Sequence, residues 1–380
     1  MDTTELRKQI DEVDKQMFAL IKKRMSIVKG VAQYKKEHNL PTTNKKRERE
    51  VLTNVTDSLG SDLGEYGRAI YRTMFDVSKL YEAQLICKDY PLYQKIQKMI
   101  SARPVPFPKC AVVACQGCEG SYSQIAAERL FEVPNITYNK SFEGVFKAVS
   151  CGLCEYGIVP IENSTAGSVN EIYDKLSQYN INIVRSVRVK INHSLLALKG
   201  TRLEDIKTIY SHQQAINQCS QFLEGLKDVT IIPCENTAMA AKKVFEEGDK
   251  SVASISAHIC ADIYGLEALA ENVQNQDNNY TRFICISKEE RIFPGADRTS
   301  IMMVLQNKPG SLYSVLSKFN VIGANLLKLE SRPIPNRDFN FVFYFDVEAS
   351  IYDNKFASLL CELQDVSEDF RYFGTYTEII

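Results

Sequence analysis

Apolar residues recur at helical spacing through residues 3–38. Leu6, Ile10, Val13, Met17, Leu20, Ile21, Val28, Val31 and Ala32 share one stripe, with no Pro and a single Gly. Such a helix is roughly 50 Å long at ~1.5 Å per residue. The surrounding N-terminal residues cannot cover that length alone, so partner helices from a second chain are implied. Pro41 ends the pattern. A second helix is predicted from near Lys45, a turn between Gly60 and Gly64, and a third helix from about Glu65 to Cys87. Residues 1–88 thus read as all-helical. Residues 89–108 contain Pro91, Pro104, Pro106 and Pro108 around a short helical piece and read as a linker.

The pattern then changes. Short apolar runs (CAVVAC, YGIVPI, IVRSVRV, TIYSH, VTIIPC, SVASIS, TRFICIS) alternate with helical stretches over residues 109–290. That rhythm predicts a two-lobed α/β domain with a cleft. From Thr299 it changes again, to strand, helix, strand, strand, helix, strand over residues 298–380. This is the ferredoxin-like α+β order, shared by many unrelated small modules. The predicted fold class is therefore multidomain.

A chain of 380 residues is too long for one ordinary core. Hydrophobic content of 44% and charged content of 24% read as soluble and globular. A formal net charge of -1 gives no footprint for nucleic acid or an anionic membrane. No apolar run approaches a membrane span, and the polar N-terminus is not a secretory signal, so a cytoplasmic protein is expected. Eleven cysteines then read as reduced thiols. Cys115/Cys118 and Cys151/Cys154 have metal-like spacing. One pair follows its strand and the other precedes its own, which puts them roughly 15–20 Å apart in a parallel sheet. No metal is expected. No G-x-G-x-x-G follows a strand, which disfavours a dehydrogenase.

Several stretches carry a family resemblance. Leu6-Arg7, Arg24, Lys35, Arg47-Glu48 and Ser78 are similar to the all-helical chorismate mutases. GCEGSYSQIAA (117–127), VPIENSTAGSVNE (159–171), YSHQQAINQC (210–219), ENTAMAA (235–241) and YGLEALAENVQNQDNNYTRF (264–283) resemble the prephenate dehydratases. GSL (310–312) and KLESRP (328–333) resemble the ACT domain of the same enzymes. The chain as a whole resembles the bifunctional chorismate mutase–prephenate dehydratases. That resemblance implies conversion of chorismate to prephenate and of prephenate to phenylpyruvate, feedback by phenylalanine, no cofactor, and a homodimer or homotetramer.

Chorismate rearranges within one molecule, so the mutase site must hold a dianion in a compact chair and stabilise charge on the ether oxygen. Cations with fork geometry suit that task. Arg24 and Lys35, 11 residues apart, share nearly one helical azimuth, and Arg7 lies about a quarter turn off it. The resemblance gives carboxylates to Arg7 (donated to a partner chain), Arg24 and Arg47, the ether oxygen and a carboxylate to Lys35, and hydroxyl and carboxylate groups to Glu48 and Ser78. The plainer reading of each is a solvated helix charge. Asn44 stands where Asp is usual, and Glu82 where a Gln donates to the ether oxygen.

Prephenate loses carbon dioxide and its ring hydroxyl together. Hydroxide leaves poorly, so a donor at that oxygen is the main need. The resemblance points to Thr281 for this contact, with Glu162 as a source of the proton. Asn163, Ser164 and Thr165 follow the strand YGIVPI, and ligands in open α/β sheets gather beyond the carboxyl ends of strands. Ser211 and Gln218 sit at another strand-to-helix junction. Arg282 clamps a carboxylate or braces the fold, and Phe283 completes the TRF motif. Helix capping is the plainer reading for each Asn, Ser or Thr alone. His193 and His212 read as structural. Cys118 replaces the usual Pro of the family's G-P-E-G loop. Gly310, Ser311 and Leu312 with Glu330, Ser331, Arg332 and Pro333 are the segments that, by resemblance, enclose phenylalanine.

Three readings stand at this level: the bifunctional enzyme, a dehydratase whose mutase helices serve only assembly, and a non-enzymatic phenylalanine sensor. One prediction separates Glu82 from the usual pattern. An ionised Glu cannot donate a hydrogen bond, and nearby Arg and Lys favour the charged form. Mutase turnover should therefore be best at acidic pH, and Glu82→Gln should move it towards neutral. A flat pH profile in both proteins would contradict this.

Overall fold

The computed structural model describes residues 2–38, 40, 43–101, 103–334 and 341–380. It divides into two compact units, one of residues 1–103 and 297–372, the other of residues 104–296 and 373–380. The first opens with α1 (Thr3–Glu37) and α2 (Lys45–Ile86). The second and third helices expected from the sequence run as one element, which leaves helical geometry at Gly60 (φ 69°, ψ −174°). A side chain would strain that backbone, so Gly marks the break. Pro41 lies outside the described residues. The segment read as a linker contains α3 (Pro91–Ser101), which starts on Pro, where the missing N–H costs nothing. Tyr93 and Ile96 of α3 are buried.

The second unit has two lobes. Its first lobe runs β1 (Cys110–Gln116), α4 (Tyr122–Leu130), β2 (Val133–Asn139), α5 (Phe142–Ser150), β3 (Tyr156–Asn163), β4 (Gly167–Ser168), α6 (Asn170–Gln178) and β5 (Asn182–Lys190). The second lobe runs β6 (Ser194–Leu198), β7 (Thr208–His212), α7 (Gln213–Gln218), α8 (Ser220–Glu224), β8 (Thr230–Cys234), α9 (Thr237–Glu247), β9 (Val252–Ser256), α10 (Ile259–Tyr264) and β10 (Leu266–Ala270). The chain then returns to the first sheet as β11 (Tyr280–Ser287). The first sheet is ordered β5-β11-β3-β1-β2 and the second β10-β6-β9-β7-β8. Helices cover both faces of the first sheet, so its strands are apolar on both sides. Val113, Ile158, Val187 and Cys285 are completely buried there.

Strand β11 is antiparallel to β3 and β5 and sits between them. Its register pairs Thr281 with Asn163 and Arg282 with Glu162, then shifts so that Phe283 meets Pro160. The shift leaves Ile161 as an extra residue in β3. A bulge of this kind lets Asn163 and Pro160, three residues apart, face one side.

The first unit ends with β12 (Arg298–Val304), α11 (Ser311–Val321), β13 (Asn325–Pro333), β14 (Phe341–Glu348), α12 (Asn354–Val366) and β15 (Asp369–Tyr376). The sheet order is β13-β14-β12-β15. Lys318 of α11 and Glu362 of α12 form a 2.8 Å ion pair, each side chain only 2% exposed. Within this unit α2 packs on both helices. Asp76 accepts from Ser314 at 3.0 Å and Ser317 at 3.4 Å, and the Cys87 thiol lies 3.1 Å from the Ser358 hydroxyl. Tyr93 of α3 donates to Asn354 at 3.3 Å.

The last residues belong to the second unit, where β16 (Glu378–Ile379) pairs in parallel with β5. Gly374 (φ +142°) passes so close to Ile183 that a Cβ would lie 2.2 Å from its carbonyl oxygen. Glu378 then reaches Arg188 at 2.7 Å. Among the described residues no helix is long and apolar enough to cross a membrane. The eleven cysteines are unpaired, and the described residues hold no His/Cys/Asp/Glu cluster fit for a metal ion.

Candidate active sites

A cavity of about 490 Å3 lies between the two lobes of the second unit. Thr281, Phe283, Pro160 and Asn163 come from the paired strands β3 and β11; Ser121, Tyr122 and Ser123 from the start of α4; His212, Gln214 and Gln218 from α7 and its cap; Asn236 and Thr237 from the start of α9. His193 closes the side where the chain crosses between lobes. None of the described lining residues is Lys or Arg, and Glu235 is the one carboxylate. The polar groups the cavity presents are otherwise hydroxyls, amides, imidazoles and helix starts. Ser121 caps α4 through Gln124 N–H and Asn236 caps α9 through Met239 N–H. Both helices direct unpaired N–H groups and the positive end of their dipole at the cavity.

Asn163 organises the wall of the cavity that carries Thr281. Its carbonyl oxygen accepts from the Thr165 and Ala166 backbone N–H groups at 3.0 and 2.9 Å and from the Thr165 hydroxyl at 2.7 Å. Backbone N–H groups can only donate, so this end is the oxygen and the other is the NH2. That NH2 donates to the Thr281 hydroxyl oxygen at 2.9 Å and to Asn279 Oδ1 at 2.8 Å. With its oxygen already accepting, the Thr281 proton is free to point into the cavity. Accepting one hydrogen bond also polarises the O–H for donating the next.

Other residues singled out from sequence lie elsewhere. Glu162 and Arg282, adjacent in the same register, point to the other side of the sheet and form a 3.2 Å ion pair away from the cavity lining. Ser211 is wholly buried and donates to the Ile255 carbonyl at 2.7 Å. Ser164 and Thr165 line a neighbouring polar recess of about 430 Å3 with Gln218 and Asn279. Ser164 donates to the Asn278 carbonyl. Cys118 lies beside Tyr264, and burial raises its thiol above the usual range, which keeps it protonated.

His193 and His212, read from sequence as structural, both line the cavity. The chain has 4 histidines, and two of them in one cavity is a signal only the fold makes visible. Tyr122, Phe142 and Asn236 were also not singled out; each is an ordinary core or capping residue until the lobes close around it.

In the first unit, α1 and α2 bring four of the mutase candidates together. Lys35 Nζ pairs with Glu82 Oε2 at 2.7 Å, and Arg24 donates to the Ser78 hydroxyl. Ser78 and Glu82 are 5% and 6% exposed, so these are sheltered contacts. Glu48 pairs with Lys79 at 2.9 Å. Asn44 caps α2 by accepting from the Arg47 N–H, which accounts for an Asn at that position. Arg7 and Arg47 are exposed, Arg47 lying 3.4 Å from Glu50. In the C-terminal part, Gly310 (φ +85°) starts α11, followed by Ser311 and Leu312. Glu330, Ser331, Arg332 and Pro333 end the edge strand β13, with Glu330 3.3 Å from Lys328.

Burial lowers the proton affinity of both cavity histidines below the usual 6.5. Their folded-state values are depressed, so the unfolded chain takes up the protons first. The stability they contribute is complete above about pH 6.5 and is lost as pH falls through the folded values. Calorimetry should show the second unit's midpoint falling from pH 7 towards pH 5, and His193→Gln should blunt the fall. A midpoint that holds or rises over that range would contradict this.

Comparison with known proteins gives the same picture in both parts. Residues 113–291 match the family Prephenate dehydratase, and residues 6–83 match Chorismate mutase type II. The chain is 31% identical to the bifunctional chorismate mutase/prephenate dehydratase of Enterobacter agglomerans, over 98% of this chain and 95% of that one. It is 37% identical to arogenate dehydratase/prephenate dehydratase 1 of Arabidopsis thaliana, over 70% of this chain and 71% of that one. Among solved structures, the prephenate dehydratase of Arthrobacter aurescens in complex with L-Phe superposes with a TM-score of 0.64 at 28% identity, over 70% of this chain and 89% of that one. With its mutase helices, its dehydratase cavity and a relative matched along nearly its whole length, the chain belongs to the bifunctional chorismate mutase/prephenate dehydratase family.

Proposed function

We propose that this enzyme converts chorismate to prephenate in its helical part and prephenate to phenylpyruvate in its two-lobed part, under feedback by phenylalanine at an ACT-type C-terminal module. The carrying observation is the Thr281 hydroxyl, held by Asn163 at 2.9 Å with its proton left for the cavity. As prephenate loses carbon dioxide, electrons move into the ring and the ring C–O bond breaks. Thr281 donates to the departing oxygen, and the starts of α4 and α9 hold the carboxylates. No cofactor or metal enters. In the mutase part Arg24 and Lys35 bind carboxylates, while Ser78 and Glu82 shape the site; a chair-like dianion needs only holding and charge stabilisation.

Two further parts of the reading have support of their own. The β-α-β-β-α-β order and the turn at Gly310 suit a ferredoxin-like ACT module, and the structural relative was crystallised with L-Phe. Leu6, Ile10, Val13, Met17, Leu20 and Ile21 are exposed along α1, an apolar stripe that fits a second copy and hence a dimer or tetramer in which Arg7 serves the partner's site. A reducing, cytoplasmic setting accords with unpaired cysteines throughout.

The test supplies purified full-length protein with chorismate, then with prephenate, and follows phenylpyruvate with and without phenylalanine. Both substrates should yield phenylpyruvate, and phenylalanine should slow it. Turnover of prephenate alone would reduce the helices to an assembly role. Turnover of neither, with phenylalanine still bound, would leave only a sensor.

A further inference from the structure

The Thr281 contact branches from a closed ring of hydrogen bonds at Asn163. Gln218 Nε2 donates to the Thr165 hydroxyl oxygen at 3.2 Å, and the Thr165 hydroxyl donates to Asn163 Oδ1 at 2.7 Å. Asn163 Nδ2 donates to Asn279 Oδ1 at 2.8 Å, and Asn279 Nδ2 donates to Gln218 Oε1 at 3.0 Å. A ring of three amides and a hydroxyl is self-consistent in either sense, because reversing every amide reverses every bond. The two senses are not equivalent for Thr281. In the sense described, Asn163 presents NH2 to the Thr281 oxygen and the Thr281 proton faces the cavity. In the reverse sense Asn163 presents its oxygen, which takes that proton away.

Three features outside the ring choose between the senses. One is the pair of backbone N–H groups on Asn163 Oδ1. The second is the Tyr280 carbonyl, which accepts from Asn163 Nδ2 at 3.3 Å. The third is His193, whose Nε2 lies 3.1 Å from Gln218 Oε1. A carbonyl oxygen only accepts, so Nε2 carries the hydrogen. His193 is held for this task. Its backbone N–H donates to Gln274 Oε1, its carbonyl accepts from Val273 N–H, and Tyr122 stands edge-on to its ring at 6.1 Å. It is 2% exposed, and its Nδ1 has no hydrogen-bond partner among the described residues. A bare ring nitrogen tolerates that surrounding better than an N–H would. Burial accordingly disfavours the imidazolium.

We propose that His193 is a positioning residue of the dehydratase: by donating from Nε2 to Gln218 it holds the Gln218 end of the ring in the sense that the backbone contacts set at Asn163, the sense that leaves the Thr281 proton facing the substrate. The inference rests on the dehydratase reading and adds a residue that acts through Gln218 and Asn163.

Three measurements on the full-length protein test it. His193→Phe fills the ring's space without a donor, and its kcat for prephenate should fall on the order of tenfold, about the worth of one net hydrogen bond, with KM little changed. His193→Gln places an amide N–H the same number of bonds from the backbone and should recover most of that loss. His193→Phe combined with Thr281→Ala should be no slower than Thr281→Ala alone, since both remove the same donated proton. Thermal melts of each variant separate these effects from unfolding. Independently of turnover, 15N-histidine spectra of the wild type should show a neutral ring protonated at Nε2 above pH 7. Wild-type kcat in His193→Phe, equal losses in the Phe and Gln variants, multiplying losses with Thr281→Ala, or a ring protonated at Nδ1 would each overturn the proposal. A wild type that does not turn over prephenate would overturn the dehydratase reading instead, and the tautomer would still decide this one.

Discussion

The antiparallel pairing of Thr281 with Asn163 is the constraint on which the dehydratase unit turns. β11 leaves the second lobe and inserts between β3 and β5, so the step that completes the first sheet also places Thr281 over the cavity. A one-residue slip would exchange every side chain between faces. Arg282 would then enter the cavity and Thr281 would join Glu162 behind the sheet. The bulge at Ile161 and the Arg282–Glu162 ion pair on the far face oppose that slip. The TRF motif thus puts a hydroxyl on the cavity with its Thr, register in its Arg and cavity wall in its Phe.

The two candidate sites are lined by different groups. In the mutase helices the cations Arg24 and Lys35 are held by Ser78 and Glu82. The cavity of the second unit has no cation among its described lining residues and presents helix starts, amides and hydroxyls. On the proposed function both would receive dianions. The difference suits the reactions. A pericyclic shift needs opposed charges around a fixed chair. A decarboxylation needs a carboxylate bound firmly enough to orient but not so stabilised that carbon dioxide cannot leave, which is a ground-state cost that a strong cation would impose.

Much of the fold was legible in the sequence, because period and punctuation are local. The 3.6-residue stripe of α1, the alternation of strands and helices, and the final βαββαβ order all follow from neighbouring residues. The join of the second and third helices was not, since Gly64 keeps helical geometry in spite of its propensity and only Gly60 breaks it. The cavity lining was legible where a motif is contiguous, as at Asn163, Thr281 and Phe283. It was not where position depends on which face of a sheet a residue takes. Glu162 and Arg282 sit in the same motifs yet point away, and Ser211 faces Ile255 inside the second lobe. His193 and His212 come together only through lobe closure, which no local pattern encodes.

The central claim is that the Thr281 hydroxyl, not the bulk of its side chain, is what the register and Asn163 are arranged to present. Single-turnover conversion of prephenate by Thr281→Ser and Thr281→Val tests it directly. Serine keeps the hydroxyl and should stay close to the wild-type rate, whereas the isosteric valine should be slower by roughly a hundredfold, as for loss of a proton-donating group. Equal rates in the two variants, fast or slow, would contradict the account.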